Sequence, residues 1–312
     1  MSSLPSKPGS PWSLAHLLLL TKFLTVRKVE PFLTGDWADR WKAALGETEP
    51  DAIRRFASGG LLVSCPLAEK IAYIFSDAAL KGMLRERGLK LSGRKEEKAE
   101  RLCSMDPEGM ETALAGVELL KCSEMGRQLA DEFVGRKERT VRCALEFLQK
   151  GKCEAAVREI CDFKDALGFP PMRFFPDRPN LDDVRNALSA RPLILAAVSE
   201  GALEQLRVAA ARGFLGLGTK WFAGDTETGT EMSCETAVNM IIGSVQYNRN
   251  LASWLRGGVK RVKILGSNSD DSCEACKVLW NRVWPIEKAP ELPHPQCTFE
   301  RGCRCCAVAD CQ

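Results

Sequence analysis

The segment "SDDSCEACKVLWNRVWPIEKAPELPHPQCTFERGCRCC", Ser269–Cys306, holds six of the fourteen cysteines of a 312-residue chain. It also holds His294, one of only two histidines. It opens with a C-x2-C pair, Cys273 and Cys276, a spacing that lets two thiolates reach one metal from a single turn. Tetrahedral zinc needs four nitrogen or sulfur ligands. The second half of the segment offers His294, Cys297, Cys303, Cys305 and Cys306. The expected set is Cys273, Cys276, Cys297 and Cys303. Cys305 is the leading substitute for one of the last two, and His294 comes after it. Arg301 and Arg304 would offset the charge of four thiolates. A structural zinc contributes on the order of 10 kcal/mol to a segment too small to bury a core of its own. A redox pair, a set of disulfides, or a chance grouping of buried cysteines are the competing readings of the same residues.

The stretch just upstream supports a small folded unit. "VKRVKIL", Val259–Leu265, alternates apolar and basic residues and reads as a strand. "CETAVNMIIGSVQYNRNLASWL" before it reads as a helix, stopped by Gly257 and Gly258. The remaining cysteines bear on compartment. Seven are scattered through the first 235 residues, where free Cys behaves as a small buried hydrophobe. A secreted disulfide scaffold would be short and cysteine-dense throughout. The split predicts a reducing cytoplasm with a metal site at one end.

Everything before Gly213 reads as helical. Expected helices cover residues 12–24, 36–45, 50–58, 66–74, 77–87, 94–103, 108–119, 123–149, 152–167, 181–189, 192–198 and 201–212. "FPPMRFFPDRPN", Phe169–Asn180, holds four prolines in twelve residues and is the expected boundary, an irregular crossing within one domain being the alternative. The expected fold is therefore mainly α with a small α/β zinc-binding C-terminal domain. Residues 1–12 are a loose tail, 13–168 a helical region, 169–180 the boundary, and 181–312 a helical segment leading to an α/β domain closed by the cysteines of 270–306. The apolar run "LAHLLLLTKFL", Leu14–Leu24, is too short to span a bilayer and is broken by Lys22. It also lacks the marks of a signal peptide, so neither a membrane nor secretion is expected.

Net charge is +3, so any affinity for nucleic acid must come from a local patch. One such patch is "DAALKGMLRERGLKLSGRKEEKAERLC", Asp77–Cys103. Leu80 and Leu84 share a helical face, Gly88 permits a left-handed stop, and Ser92 is the expected N-cap of a second helix. Lys81–Arg101 carries eight basic and four acidic side chains. Cations and amide donors at the start of the second helix suit phosphate contact.

Leu80, Leu84, Gly88, Leu89, Gly93, Lys95, Arg101 and Leu102 make this segment resemble the SAP motif, a helix-extended-helix DNA-binding module. The resemblance implies DNA-backbone contacts by Arg94, Lys95 and Lys98, with Arg85 and Lys90 nearby. It implies low sequence specificity, since phosphate contacts carry no base information. A second resemblance covers about 55 residues from near Asn250. "VKILGSNSDDSCEACKVL", then "ELPHPQC" and "CRC", is similar to the C-terminal end of phage head-morphogenesis proteins of the Mu F type, with "TFERG" inserted before the "CRC". That resemblance implies a minor capsid role and a capsid or other protein partner.

Catalytic constellations are sparse. With only His16 and His294, a Ser-His-Asp or Cys-His site could form only around His294, and His16 reads as a core or boundary residue. Asp225, Glu227, Glu231 and Glu235 could bind a divalent cation, or form a polar loop leading into a helix. The sequence predicts a non-enzymatic DNA-binding protein with structural zinc. Head morphogenesis is the alternative, and a metal-dependent nuclease using the 225–235 carboxylates is a third.

Overall fold

The computed structural model describes residues 11–31, 33–170, 178–218, 232–266, 273–299 and 302–310. Thirteen α-helices and six short strands are found among them, so the protein is mainly α. The chain forms two compact units. Unit 1 comprises Met1–Glu138 and Lys164–Pro171, and unit 2 comprises Arg139–Phe163 and Met172–Gln312.

In unit 1, α1 (Leu14–Leu20) runs into a 3-10 turn at Thr21–Phe23. α2 (Asp36–Leu45) and α3 (Glu49–Ser58) follow β1 (Arg27–Lys28). Side chains at the helix starts satisfy amides that no helical carbonyl reaches: Ser13 caps α1 and Thr48 caps α3. Leu19, Leu20, Phe23, Ile53 and Phe56 are wholly buried in one cluster with residues of a three-stranded sheet. That sheet has β3 (Leu119–Cys122) at its centre, antiparallel to β1 and to β2 (Leu62–Ser64), with Leu120 opposite both Arg27 and Ser64. His16 is a core residue of this unit. Its Nδ1 lies 2.7 Å from Ser13 Oγ and its Nε2 2.8 Å from Glu47 Oε1.

The helix α8 (Glu124–Gln149) enters this core through Gly126, whose Cα rests on the carbonyl of Leu61. A Cβ there would overlap backbone that no rotamer change can move. Gly126→Ala is therefore expected to cost roughly 1–3 kcal/mol, read as a lower denaturant midpoint for unit 1 at unchanged m-value.

The four helices α4 (Leu67–Ile74), α5 (Asp77–Glu86), α6 (Lys95–Met105) and α7 (Pro107–Ala113) surround a separate small core of Ile71, Leu80, Leu84, Ala99, Leu102, Met110 and Leu114. This is the basic segment of the sequence, built out by one helix on each side.

Unit 2 buries the end of α8, α9 (Cys153–Leu167), α10 (Leu181–Ser189), α11 (Glu200–Phe214) and α12 (Cys234–Arg256) around an Ala-rich core. Ala209, Ala210 and Ala211 on α11 allow close helix approach. Arg249 of α12 ion-pairs with the buried Asp183 of α10. β4 (Arg261–Leu265) then pairs antiparallel with β5 (Val283–Pro285) on one side and β6 (Cys306–Ala309) on the other. One face of this sheet packs Ile264 with Tyr247, Leu279 and Leu292. A short helix, α13 (Glu274–Lys277), lies between β4 and β5.

Several expectations are corrected. The helix expected at 108–119 ends at Ala113, and Leu119 opens β3 instead. Gly116 at φ 78° breaks the helical path, and the buried Leu119 and Leu120 are satisfied by strand neighbours. The all-helical reading of the first 213 residues thus missed a sheet whose strands are two to four residues long. Such strands are too short to display a period of two. The helix expected at 192–198 is a 3-10 turn at Leu193–Leu195. The division between units falls within α8 and again between Phe163 and Lys164, so residues 139–163 pack with the C-terminal unit. A helix that serves two cores carries no breaker where the cores divide.

Candidate metal centre and basic module

The sheet and α12 hold the cysteines from three directions. Cys273 is the N-cap residue of α13 and Cys276 lies in its single turn, which turns both toward one point. The loop after the cis Leu292–Pro293 bond carries Cys297, whose amide is bonded to the His294 carbonyl at 3.0 Å. Cys303 is fixed by its amide, 3.2 Å from Met240 Sδ of α12, and by the His294 amide donating to its sulfur at 3.3 Å. Cys305 directly precedes β6, where Leu265 faces Cys306. Gly302, at φ 86°, sits against the end of Met240, where any side chain would collide.

Five thiols converge as two triads that share one residue. Cys273, Cys276 and Cys297 form the first, and Cys276, Cys303 and Cys305 the second, with the sulfurs of each within 4.8 Å of one another. Cys273 and Cys297 are 3.6 Å apart, and Cys276 and Cys303 are 3.7 Å apart. Zinc–sulfur bonds of about 2.3 Å make the edge of a regular tetrahedron about 3.8 Å. The cluster could therefore hold a metal ion, and its donors have the softness and spacing for it. The four expected ligands and the leading substitute are all in the cluster. Among the described residues the His294 side chain joins neither triad, and its Nδ1 is buried with no hydrogen-bond partner. His294 serves instead through its backbone. Cys306 is exposed on β6.

The electrostatics of the thiols are coupled. Hydrogen bonds from Cys297 and then Cys305 hold Cys303 well below the ordinary thiol range. The same bonds, followed by burial, push Cys297 and Cys305 up. Burial, followed by the Cys273 contact, raises Cys276. Burial opposes ionisation of Cys273, but bonds from the Thr298 backbone and from Cys276 outweigh it and lower its pKa. Thiols ligate as thiolates, so a cation bound here would release protons from the cluster. Trp280 and Phe299 wall the site, and Arg304 beside them supplies positive charge. Gly266, at the end of β4, lies flat against the Trp280 indole, and a Cβ there would fall inside the ring.

The second candidate site is the module of α4–α7. Arg85, Lys90 and Arg94 are exposed and Lys95 is half-buried. They lie on the end of α5, the Gly88–Gly93 linker and the start of α6. Arg101 pins that linker, its guanidinium donating to the carbonyls of Lys90 and Ser92. Gly93, at φ 117°, leaves room for Glu97 and Arg101 beneath it. Two residues depart from expectation. Ser92 is not the N-cap: the cap position is Arg94, whose amide donates to Glu97 Oε2 at 3.2 Å. Lys98 is not available as a contact either. It is 3% exposed and its ammonium is ion-paired with Asp77. It takes a core position of α6 and anchors α6 to the start of α5.

Asp77 also bonds Lys81 Nζ at 2.8 Å. The Lys81 and then Lys98 bonds lower its pKa from 3.8 to about 2. A lowered carboxyl pKa stabilises the fold above the unfolded value and ceases to do so as pH falls through the folded one. Unfolding of the α4–α7 module is thus expected to ease between pH 3.8 and about 2. Asp77→Asn should remove that part of the pH dependence, as followed by urea melts across the window.

Asp225, Glu227 and Glu231 lie outside the described residues, while Glu235 is in the first turn of α12, where a carboxylate offsets the helix dipole. Among the described residues no helix is long and apolar enough to cross a membrane. No family model matches the chain, and no curated protein or solved structure matches it.

Proposed function

We propose that the protein binds DNA through the α4–α7 module and that a zinc ion closes its C-terminal unit. The observation that carries the DNA reading is the placement of Arg85, Lys90, Arg94 and Lys95 on one linker-and-helix-start region of a module with its own core. Cations on a braced surface suit phosphates, whose spacing does not vary with sequence. Zinc is favoured among metals because the donors are all thiols and the sulfur spacing is that of a tetrahedron. No catalytic residue is assigned. The test of DNA contact is titration of a fluorescent duplex of arbitrary sequence over a range of salt. Affinity that falls steeply with salt supports it, and no binding at low salt sinks it.

A second reading is that the protein is a minor component of a phage or prophage head. It is favoured by the C-terminal unit: the strand β4 stands before the Cys273/Cys276 pair, and Cys303 and Cys305 of the "CRC" close on Cys276. Those are the parts that carry the resemblance to Mu F-type head-morphogenesis proteins, and the insertion between Cys297 and Cys303 leaves both in the cluster. The two readings are compatible, since a head component meets packaged DNA. Heads sedimented from a producing culture are expected to carry the protein; its confinement to the soluble fraction would overturn this reading.

A further inference from the structure

Five thiols meet where a tetrahedral ion takes four. We propose that Cys305 is the thiol left off the metal, and that it is a modification site open to small soft electrophiles while the metal is bound. This rests on the metal reading given above. The argument is positional. Cys273–Cys297 and Cys276–Cys303, at 3.6 and 3.7 Å, are two edges of near-tetrahedral length that share no residue and together use four sulfurs. Cys305 belongs only to the triad with Cys276 and Cys303. Its backbone is placed by β6, whose register against β4 begins at the next residue. The other late cysteines are placed by the loop and by α12 contacts that surround the cluster. Cys305 is partly buried, as are Cys273 and Cys303, and it lines a cleft with Trp280, Phe299, Arg304 and the thiols of Cys273, Cys276 and Cys297, which the ion would hold. A sulfur outside the coordination sphere keeps its nucleophilic lone pair, while metal-bound thiolates share theirs with the ion.

The probe is iodoacetamide on the zinc-loaded full chain, followed by peptide mass mapping and metal analysis of the same sample. In the reaction the thiol gives its proton to solvent, sulfur bonds to the methylene carbon, and iodide leaves. The expected result is one zinc per chain, carbamidomethyl on Cys305, and protection of Cys273, Cys276, Cys297 and Cys303. After chelation all five should react. Cys305→Ser is expected to keep its zinc and lose the label. Bound zinc with Cys305 protected, or with Cys297 labelled in its place, would overturn the assignment of the spare thiol and leave the metal reading standing. Failure to retain any metal would sink both. Labelling of the wild-type chain decides the matter even where the variant does not fold.

Discussion

Cys276→Ala is expected to abolish metal retention and to loosen the whole segment from Cys273 to Ala309. Cys276 is the one thiol that both triads share, and it is 3% exposed at the centre of the cluster. Its loss leaves the two triads with no common member, whereas after loss of Cys297 or Cys303 the spare Cys305 still lies beside Cys276. A structural zinc of this kind supplies on the order of 10 kcal/mol of apparent binding energy. The apolar cluster that would remain, centred on Ile264, Leu279, Leu292 and Tyr247, is too small to replace that sum. Amide exchange in β5 and β6 should therefore rise to near the unprotected rate, in the variant and in chelated wild-type alike. Cys306→Ala, on the exposed face of β6, is the matched control and should keep both its metal and its protection. Full protection of β6 in a metal-free Cys276→Ala chain would show that packing alone holds this unit.

Replacing Arg85, Lys90, Arg94 and Lys95 together by alanine is expected to remove most of the affinity for duplex DNA. If each cation neutralises one phosphate, the slope of log affinity against log salt falls in magnitude by about 3.6. Between 50 and 200 mM salt the wild-type chain should then lose roughly 100-fold more affinity than the variant does. Lys98→Met separates this reading from one based on charge alone. Lys98 is buried against Asp77, so its loss changes the packing of α5 and α6 but leaves the salt slope where it was. Methionine keeps the stem and removes the charge, and Asp77, half-exposed and still paired with Lys81, is not left as a stranded buried charge. An unchanged slope in the quadruple variant would mean that the module is not the DNA contact.

The long helices were legible because their apolar positions repeat and their caps are written in the chain. Ser13, Thr48, Ser76, Asn180, Ser199 and Ser233 each stand one residue before a helix and accept from its first turn. The sheet of unit 1 was not legible. β1, β2 and β3 come from segments up to about ninety residues apart, and each is too short to carry a pattern. The contact role that the resemblance implies for Lys98 fails for a related reason: nothing near it in the chain marks the position as buried. Only the facing Asp77, twenty-one residues earlier, makes burial of that ammonium tolerable.

For the candidate metal centre the division is similar. The thiol count and the C-x2-C spacing by themselves determined that the end of the chain gathers cysteines about one point. Residue chemistry and local reach along the chain are enough for that. Which thiols meet was decided only by the tertiary structure. Met240 of α12 and the His294 amide draw in Cys303, the pairing of β6 with β4 sets Cys305 beside it, and the same strand leaves Cys306 on the exposed face. The ligand set depends on contacts made across more than sixty residues, and spacing along a chain does not encode the distance between such segments in space.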